Sequence, residues 1–341
     1  MSLTRPVLWK MMFSPMAVRE IAWLINKHNR FVVSSHVGPD GDAIGSCYGL
    51  ALALNKIGKT VDVVLDSYSS KFDIIPGKNF RYTGELSKLD PEIVIALDCA
   101  DIERLGSAKE LFLQAQTTVC IDHHDTNKGF AHYNFLDSNA SSTGEMVFAL
   151  VDELTDIDND IACAIYAAII CDTGGFRHMN TNAPALDIAG RLVSMGIPFT
   201  AIYNELMHMH SFISAKALGL TLNNLSQSAD GRIVFSYMTL DLLSSVGADT
   251  SDLDGVAGYL MSTQGAEVAF FVYEKRNIPA VKVSMRSKKV NVGRIAASLG
   301  GGGHNLAAGC SIVGDVEEVL EKVLTIFEKE LENDASLALC T

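Results

Sequence analysis

The sequence has no closely spaced cysteine pair and no hydrophobic run long enough to cross a membrane. Seven cysteines occur among 341 residues, and none forms a CxxC motif, which predicts reduced core residues rather than a disulfide framework. The longest apolar stretches fall well short of the roughly 20 residues that span a bilayer. The N-terminus also lacks the features of a signal peptide. These absences predict a cytoplasmic protein that does not bind membranes.

Positive charge and aromatic residues are also scarce. The chain carries 27 Lys and Arg against 40 Asp and Glu, giving a net charge of -13, and only 8% of its residues are aromatic. Coating long nucleic acid requires a broad basic surface, and following a long single strand also requires an aromatic track. The composition therefore argues against binding to long duplexes or long single strands. It still permits a small anionic substrate if metal ions supply positive charge locally.

Strand and helix patterns alternate through the first part of the chain. Short apolar runs at 31–34, 60–65, 92–97 and 117–122 predict buried strands, and helical patterns lie between and after them. This alternation is typical of a parallel sheet with helices on both faces. We therefore predict an α/β fold for a first domain at residues 15–205.

A different pattern begins near residue 229. Three β-rich runs, at 232–238, 267–273 and 280–285, are interspersed with short helical segments and followed by a helical pattern at 316–332. We predict a smaller α/β domain at residues 229–335, joined to the first by a helical linker at 206–228. Both domains are long enough to bury a core of their own.

Acidic and imidazole side chains follow the predicted strands of the first domain. Ligands in parallel α/β sheets bind beyond the carboxyl ends of the strands, so these residues are expected to converge at one edge. A helical pattern at 161–170 delivers one more carboxylate. The residues concerned are His36, Asp40, Asp42, Asp98, Asp122, His123, His124 and Asp172.

Six of these side chains are candidate metal ligands: His36, Asp40, Asp42, Asp98, His123 and Asp172. Six mixed imidazole and carboxylate ligands are too many for one tetrahedral zinc and suit two hard or borderline ions, for which Mn²⁺ is the natural choice, with Mg²⁺ or Co²⁺ as substitutes. Two such ions can hold a bridging hydroxide and clamp phosphate oxygens. The implied chemistry is hydrolysis of a phosphoester or phosphoanhydride. We read Asp40 and Asp42 as alternate residues of an extended loop, although an acidic turn capping a helix at Ala43 fits the same spacing.

The motifs resemble those of the DHH phosphoesterase family. The resemblance rests on SHVGPDGD at 35–42, LD at 97–98, DHH at 122–124 and DTG at 172–174, and GGGGHN at 300–305 resembles the signature of the family's associated C-terminal domain. It covers nearly the whole chain. The resemblance implies one metal bound by His36, Asp40 and Asp98, and a second bound by Asp42, Asp98, His123 and Asp172.

The resemblance also implies roles for two further residues and for the second domain. Asp122 would orient an imidazole through its ring N–H, and His124 would face the scissile phosphate. Arg286, in a basic cluster with Lys282, Lys288, Lys289 and Arg294, would pair with a substrate phosphate, and Arg104 is a further phosphate candidate. The remaining predicted substrate-binding residues lie in the glycine-rich stretch: Gly301, Gly302, Gly303, His304 and Asn305.

Within the family, this chain, with its compact length and two domains, most resembles the members of the branch that degrades nanoRNA and 3'-phosphoadenosine-5'-phosphate (pAp). The expected substrates are oligoribonucleotides of two to about five residues and pAp, hydrolysed to mononucleotides and AMP. A phosphodiesterase acting on linear or cyclic dinucleotides is the main alternative. A RecJ-like exonuclease, a pyrophosphatase or exopolyphosphatase, and a nucleotide sensor without activity are weaker ones. A homodimer is the default expectation, although no sequence motif specifies it.

Overall fold

A computed structural model describes residues 13–276 and 279–338 of the chain. It divides into two compact units, with the boundary between Met209 and His210. In the described part, the six cysteines form no disulfide; Cys340 lies outside it. Among the described helices, none is long and apolar enough to cross a membrane.

The first unit is built on a five-stranded parallel sheet with the strand order β2-β1-β3-β4-β5. Its strands are β1 Arg30–Ser34, β2 Thr60–Val64, β3 Ile93–Leu97, β4 Thr118–Asp122 and β5 Tyr133–Leu136. Its helices are α1 Pro15–Lys27, α2 Gly41–Lys56, α3 Lys109–Gln114, α4 Thr143–Leu154, α5 Asn159–Asp172, α6 Ala183–Ser194 and α7 Phe199–Met207. This topology confirms the predicted parallel α/β fold.

Two apolar clusters account for the coverage of both faces of this sheet. Strand β3 is buried along its whole length, as expected for a strand covered on both sides. Its residues Ile93, Ile95 and Leu97 pack in the larger cluster with α1, α2, α4 and α5, whereas Val94 and Ala96 pack in a smaller cluster that includes α3. The alternation of side chains along β3 thus places a hydrophobic layer on each face.

Local geometry differs from the sequence-based prediction in three places. The helix predicted between the strands at 92–97 and 117–122 is α3, and a 3-10 segment, Ile102–Ala108, precedes it. Strand β5 was not predicted, because its short segment has only one fully buried residue, Phe135. The helix predicted to start at Ala43 starts at Gly41, because the Asp40 side chain accepts hydrogen bonds from the backbone N–H groups of Asp42 and Ala43.

The second unit contains a six-stranded mixed sheet with the order β10-β11-β9-β8-β7-β6. Its strands are β6 Ser226–Gln227, β7 Ile233–Met238, β8 Val268–Glu274, β9 Val281–Ser287, β10 Gly302–His304 and β11 Ala307–Ile312. Its helices are α8 Phe212–Asn223, α9 Leu240–Ser245, α10 Val256–Leu260, α11 Val292–Ser298 and α12 Val316–Ala338. The segment predicted as a linker therefore contains the whole of α8, which packs within this unit through Ala217.

Close packing of α2 against α5 generates a stability prediction. A Cβ added to Gly45 would lie 2.6 Å from the Ala164 carbonyl oxygen and 2.8 Å from the Ala168 backbone nitrogen. Both are backbone atoms, so the two helices must separate to accommodate it. Gly45→Ala is expected to lower the free energy of unfolding by about 1–3 kcal/mol, measured by chemical denaturation.

Gly190→Ala is the matched control for this substitution. Gly190 lies within α6, is exposed, and has no heavy atom within 4 Å of its added Cβ. The same change should therefore stabilise the protein by up to about 1 kcal/mol through helix propensity alone. Equal effects of the two substitutions would contradict the proposed contact between α2 and α5.

Candidate metal centre

The carboxyl ends of β1, β3 and β4 bring acidic and imidazole side chains together at one edge of the parallel sheet. His36 lies two residues beyond β1, Asp98 directly follows β3, and Asp122 is the last residue of β4 with His123 and His124 after it. The three strands are hydrogen-bonded neighbours in the order β1-β3-β4. Parallel pairing therefore explains why residues more than 80 positions apart in sequence share one site.

Asp98 lies at the centre of this cluster. Its Oδ2 is 3.6 Å from His36 Nε2, and its Oδ1 is 3.6 Å from His123 Nε2. The two carboxylate oxygens thus face different imidazoles. Asp98 also has a backbone φ of 53°, a left-handed conformation that Asp and Asn tolerate better than most residues, and its Oδ1 accepts a hydrogen bond from Thr143 Oγ1.

Asp40 and Asp42 are presented by the start of α2. Asp42 is helical and buried, and its oxygens accept hydrogen bonds from the backbone N–H groups of Thr143 and Gly144, at 2.7 and 2.9 Å, where α4 begins. The extended-loop interpretation of these two aspartates was therefore wrong. Asp40 caps α2 and still lies within ligand-binding reach of His36 and Asp98.

Asp172 reaches the same cluster from the end of α5. Its Oδ2 is 3.6 Å from His123 Nε2 and accepts a hydrogen bond from Asn180 Nδ2 at 3.1 Å. Burial, with repulsion from Asp98 and Asp40, raises the pKa of Asp172 to about 6, despite the opposing effect of His123. A positive charge nearby would stabilise its ionised form.

The ligand atoms form two separate groups that suit divalent cations, and a third group, Asp98, His123 and His124, shares one residue with each. His36, Asp40 and Asp98 make one group, and Asp42, His123 and Asp172 make another, with all ligand atoms in each group within 4.8 Å of one another. Atoms bound to one first-row ion by bonds of about 2.1 Å lie roughly 3–4 Å apart. The observed separations and the mixed oxygen and nitrogen donors therefore fit metal binding.

The carboxylates of this cluster differ in how their surroundings affect ionisation. Burial and repulsion from Asp98, Asp172 and Asp40 raise the pKa of Asp42 well above its usual value. Burial also acts to raise the pKa of Asp98, but its contacts with His36, His123 and His124 outweigh this effect and lower it. Asp98 is therefore the most readily ionised member, as its central place between imidazoles requires.

His124 is held by a carboxylate that is not in either ligand group. Its Nδ1 lies 2.7 Å from Oδ1 of Asp122, which is completely buried. Burial lowers the pKa of His124, but the bond to Asp122 and the negative charge of Asp98 outweigh this effect and raise the pKa to about 9. The predicted contact between Asp122 and an imidazole is thus present in the structure, with His124 as its partner.

The predicted phosphate-binding residues occupy different surroundings in the two units. Arg104 is exposed, and its Nη2 lies 3.5 Å from Nδ1 of His36. In the second unit, strand register aligns Arg286 of β9 with Ala307 of β11 and His304 of β10. Directly opposed residues share one face of a sheet, so Arg286 and His304 lie on the same face, two strands or roughly 9–10 Å apart.

The glycine-rich stretch is partly a strand rather than a loop. Gly302, Gly303 and His304 form the exposed edge strand β10, while Gly301 precedes it and Asn305 follows it. A Cβ on Gly301 would lie within van der Waals overlap of the Gly309 backbone, so this position requires glycine. One member of the predicted basic cluster, Arg294, forms a salt bridge with Glu330 at 2.9 Å.

Several residues at the site were not found by sequence reasoning. Thr143 donates a hydrogen bond to Asp98, Asn127 donates one to Asp122, and Asn180 donates one to Asp172. The buried Glu145 accepts hydrogen bonds from the Ser141 backbone N–H at 2.6 Å and from Asn182. Each is a neutral or helix-starting residue close to a motif.

The chain matches two known domain families. Residues 30–169 match the model of the DHH family, N-terminal domain, and residues 230–333 match the DHHA1 domain. A Bacteroides fragilis crystal structure described as an exopolyphosphatase-related protein superposes with a TM-score of 0.86 and 25% identity, covering 94% of this chain and 97% of the other.

Proteins from two bacteria align with most of this chain over most of their own lengths. The protein of Thermus thermophilus named bifunctional oligoribonuclease and PAP phosphatase NrnA is 33% identical, with 88% of this chain and 89% of the relative covered. The Bacillus subtilis protein of the same name is 28% identical, with 86% and 92% covered. The two matched domains and the extent of this similarity show that the chain belongs to the DHH family of phosphoesterases.

Proposed function

We propose that this protein is a cytoplasmic, Mn²⁺-dependent hydrolase that degrades oligoribonucleotides of two to about five residues and converts pAp to AMP. The observation that carries the proposal is the pair of ligand groups linked by Asp98 and His123, in a chain 33% identical to an oligoribonuclease and PAP phosphatase. Mg²⁺ or Co²⁺ would be substitute ions. Long duplexes lie outside the proposed substrate range, and a homodimer is the oligomeric state we expect.

The proposed ligand assignment extends the two observed groups by giving Asp98 to both ions. His36, Asp40 and Asp98 would hold one ion, and Asp42, Asp98, His123 and Asp172 would hold the other. The two oxygens of Asp98 face different imidazoles, which supports a bridging role. When bound, divalent ions neutralise phosphate charge and make water a better nucleophile at neutral pH.

The protein's own side chains would orient the substrate and move a proton. His124, held by Asp122 at its Nδ1 edge, would act on the scissile phosphate by stabilising charge or protonating the leaving oxygen. Arg104, beside His36, would contact a phosphate oxygen. In the second unit, Arg286 would bind a substrate phosphate, with His304, Asn305 and the backbone of Gly301 to Gly303 contacting the nucleotide.

A phosphoanhydride substrate is the second candidate function. The similarity to a structure described as exopolyphosphatase-related favours it, since the same ligand groups suit either bond. The Arg286 and His304 face of the second unit supports a nucleotide instead, because it offers a planar guanidinium and an imidazole for phosphate and base.

Turnover on a matched substrate panel tests the proposed specificity. The panel contains pAp, pApA, pGpG, c-di-AMP, RNA of 5 and 24 residues, long single-stranded DNA, pyrophosphate and polyphosphate, each with Mn²⁺. We expect kcat/KM to be highest for pAp and dinucleotides and to fall steeply with RNA length. The highest kcat/KM on polyphosphate or long DNA would contradict the proposal.

Asp98→Asn tests the ligand assignment with little disturbance of the fold. Asn tolerates the φ of 53° at this position, but a neutral amide is a poor ligand for two cations. We expect kcat/KM on pAp to fall at least about 100-fold and the Mn²⁺-dependent rise in Tm to shrink.

The control for this variant is Asp125→Asn, an identical change at an exposed aspartate beside the same motif. It should leave both activity and the Mn²⁺ effect on Tm unchanged. Full activity of Asp98→Asn would disprove the assignment of Asp98 as a metal ligand.

Arg286→Lys tests phosphate binding in the second unit. Lys retains the charge but loses the paired N–H donors that bind a phosphate in parallel. We expect KM for pAp to rise about tenfold with kcat within about twofold. Arg294→Lys, at an arginine already paired with Glu330, is the matched control, and an unchanged KM for Arg286→Lys would contradict the assignment.

A further inference from the structure

Asn127 is a buried amide that lies behind the metal centre. It is 8% exposed, and its Nδ2 donates to Asp122 Oδ2 at 2.7 Å and to the Cys99 carbonyl oxygen at 3.1 Å. Its Oδ1 accepts from the backbone N–H of Gly129 at 2.8 Å. Since two acceptors face one end of the amide and a donor faces the other, the orientation of the amide is determined by its partners.

These contacts make Asn127 the partner of the second oxygen of Asp122. Oδ1 of Asp122 lies 2.7 Å from His124 Nδ1, and Oδ2 accepts from Asn127. A carboxylate that is hydrogen-bonded through only one oxygen can rotate about its Cβ–Cγ bond. A carboxylate that is hydrogen-bonded through both oxygens is fixed in one plane. Asn127 therefore fixes the plane in which Asp122 meets the imidazole of His124.

The backbone of Asn127 acts on the same histidine. Its N–H donates to the carbonyl oxygen of His124 at 3.2 Å, closing a turn immediately after the DHH motif. The side chain and the main chain of Asn127 thus restrain His124 from two directions. Loss of the side-chain contact would leave a completely buried carboxylate oxygen without its donor, a costly arrangement.

We infer that Asn127 is a positioning residue that acts through Asp122 to hold the His124 ring in its working orientation. The chain Asn127–Asp122–His124 keeps the Nδ1 edge of the ring on Asp122 and turns the Nε2 edge away from it. This inference rests on the proposed role of His124 at the scissile phosphate. It adds a residue outside both ligand groups to the determinants of the chemical step.

Asn127→Leu removes the amide with little change of volume and is the main test. We expect kcat on pAp to fall about 10- to 100-fold, while KM and the Mn²⁺ concentration for half-maximal activity stay within about twofold. Asn127→Ala, which introduces a smaller side chain, should act in the same direction if Asn127→Leu does not fold. Asn134→Leu, at an exposed asparagine seven residues further on, is the matched control and should retain normal kcat.

Nitrogen-15 histidine NMR of the Mg²⁺-loaded chain provides a readout independent of activity. The His124 Nδ1 signal, assigned by its absence in His124→Ala, should move or broaden in Asn127→Leu and remain unchanged in Asn134→Leu. An unchanged signal in Asn127→Leu overturns the inference, as does a kcat within twofold of the parent when His124→Ala is inactive. Parallel losses in kcat, KM and metal response also overturn it, because they indicate general loosening of the site.

The same experiment separates this inference from the proposed function. If His124→Ala is fully active while Asn127→Leu alters the His124 signal, the hydrogen-bond chain is upheld and the proposed role of His124 is refuted. If His124→Ala is inactive and Asn127→Leu is fully active, the role of His124 is upheld and positioning by Asn127 is refuted.

Discussion

Repulsion among clustered carboxylates is the constraint on which the rest of the first unit depends. Asp40, Asp42, Asp98 and Asp172 come from three segments and lie within ligand-binding distance of His36 or His123. Such a group is unfavourable unless each charge has dedicated donors or a cation. The fold supplies hydrogen-bond donors from the starts of α2 and α4. Asp42 accepts hydrogen bonds from two backbone N–H groups of α4, and Asp40 caps α2. Positive partial charge at these helix ends offsets part of the repulsion.

The backbone at Asp98 illustrates how the sheet edge selects a side chain. The chain leaves β3 through a left-handed conformation, which only glycine, asparagine and aspartate adopt at small cost. Of these three, only aspartate carries a charge that can face imidazoles on two sides. Local strain and ligand chemistry therefore favour the same residue, and the Thr143 hydroxyl holds its carboxylate in place.

The sequence was most informative where periodicity and strand ends carried the signal. Apolar runs that end in Asp or His predicted the parallel sheet and the group at its edge, because parallel pairing fixes where strand ends meet. Asn127 and Thr143 were missed, since a neutral residue a few positions from a motif has no distinctive pattern until the fold shows what it contacts. The helical start at Gly41 was missed because an Asp cap and an extended Asp-x-Asp loop have the same spacing. The strand at Gly302 and Gly303 was missed because glycine runs favour turns locally, and only pairing with β11 overrides that preference.

Charge balance connects the proposed metal centre with a limit on substrate length. Four ligand carboxylates balance two divalent ions, so in the proposed arrangement the ligand set leaves no excess positive charge for substrate phosphates. That charge must come from side chains such as Arg104 and Arg286, within a chain of net charge -13. Each additional phosphate then adds repulsion unless another cation is placed to meet it. A substrate with one or a few phosphates needs only a few arginines, whereas a long strand needs a continuous row of them. Preference for short substrates would therefore follow from the supply of positive charge as well as from the shape of the site.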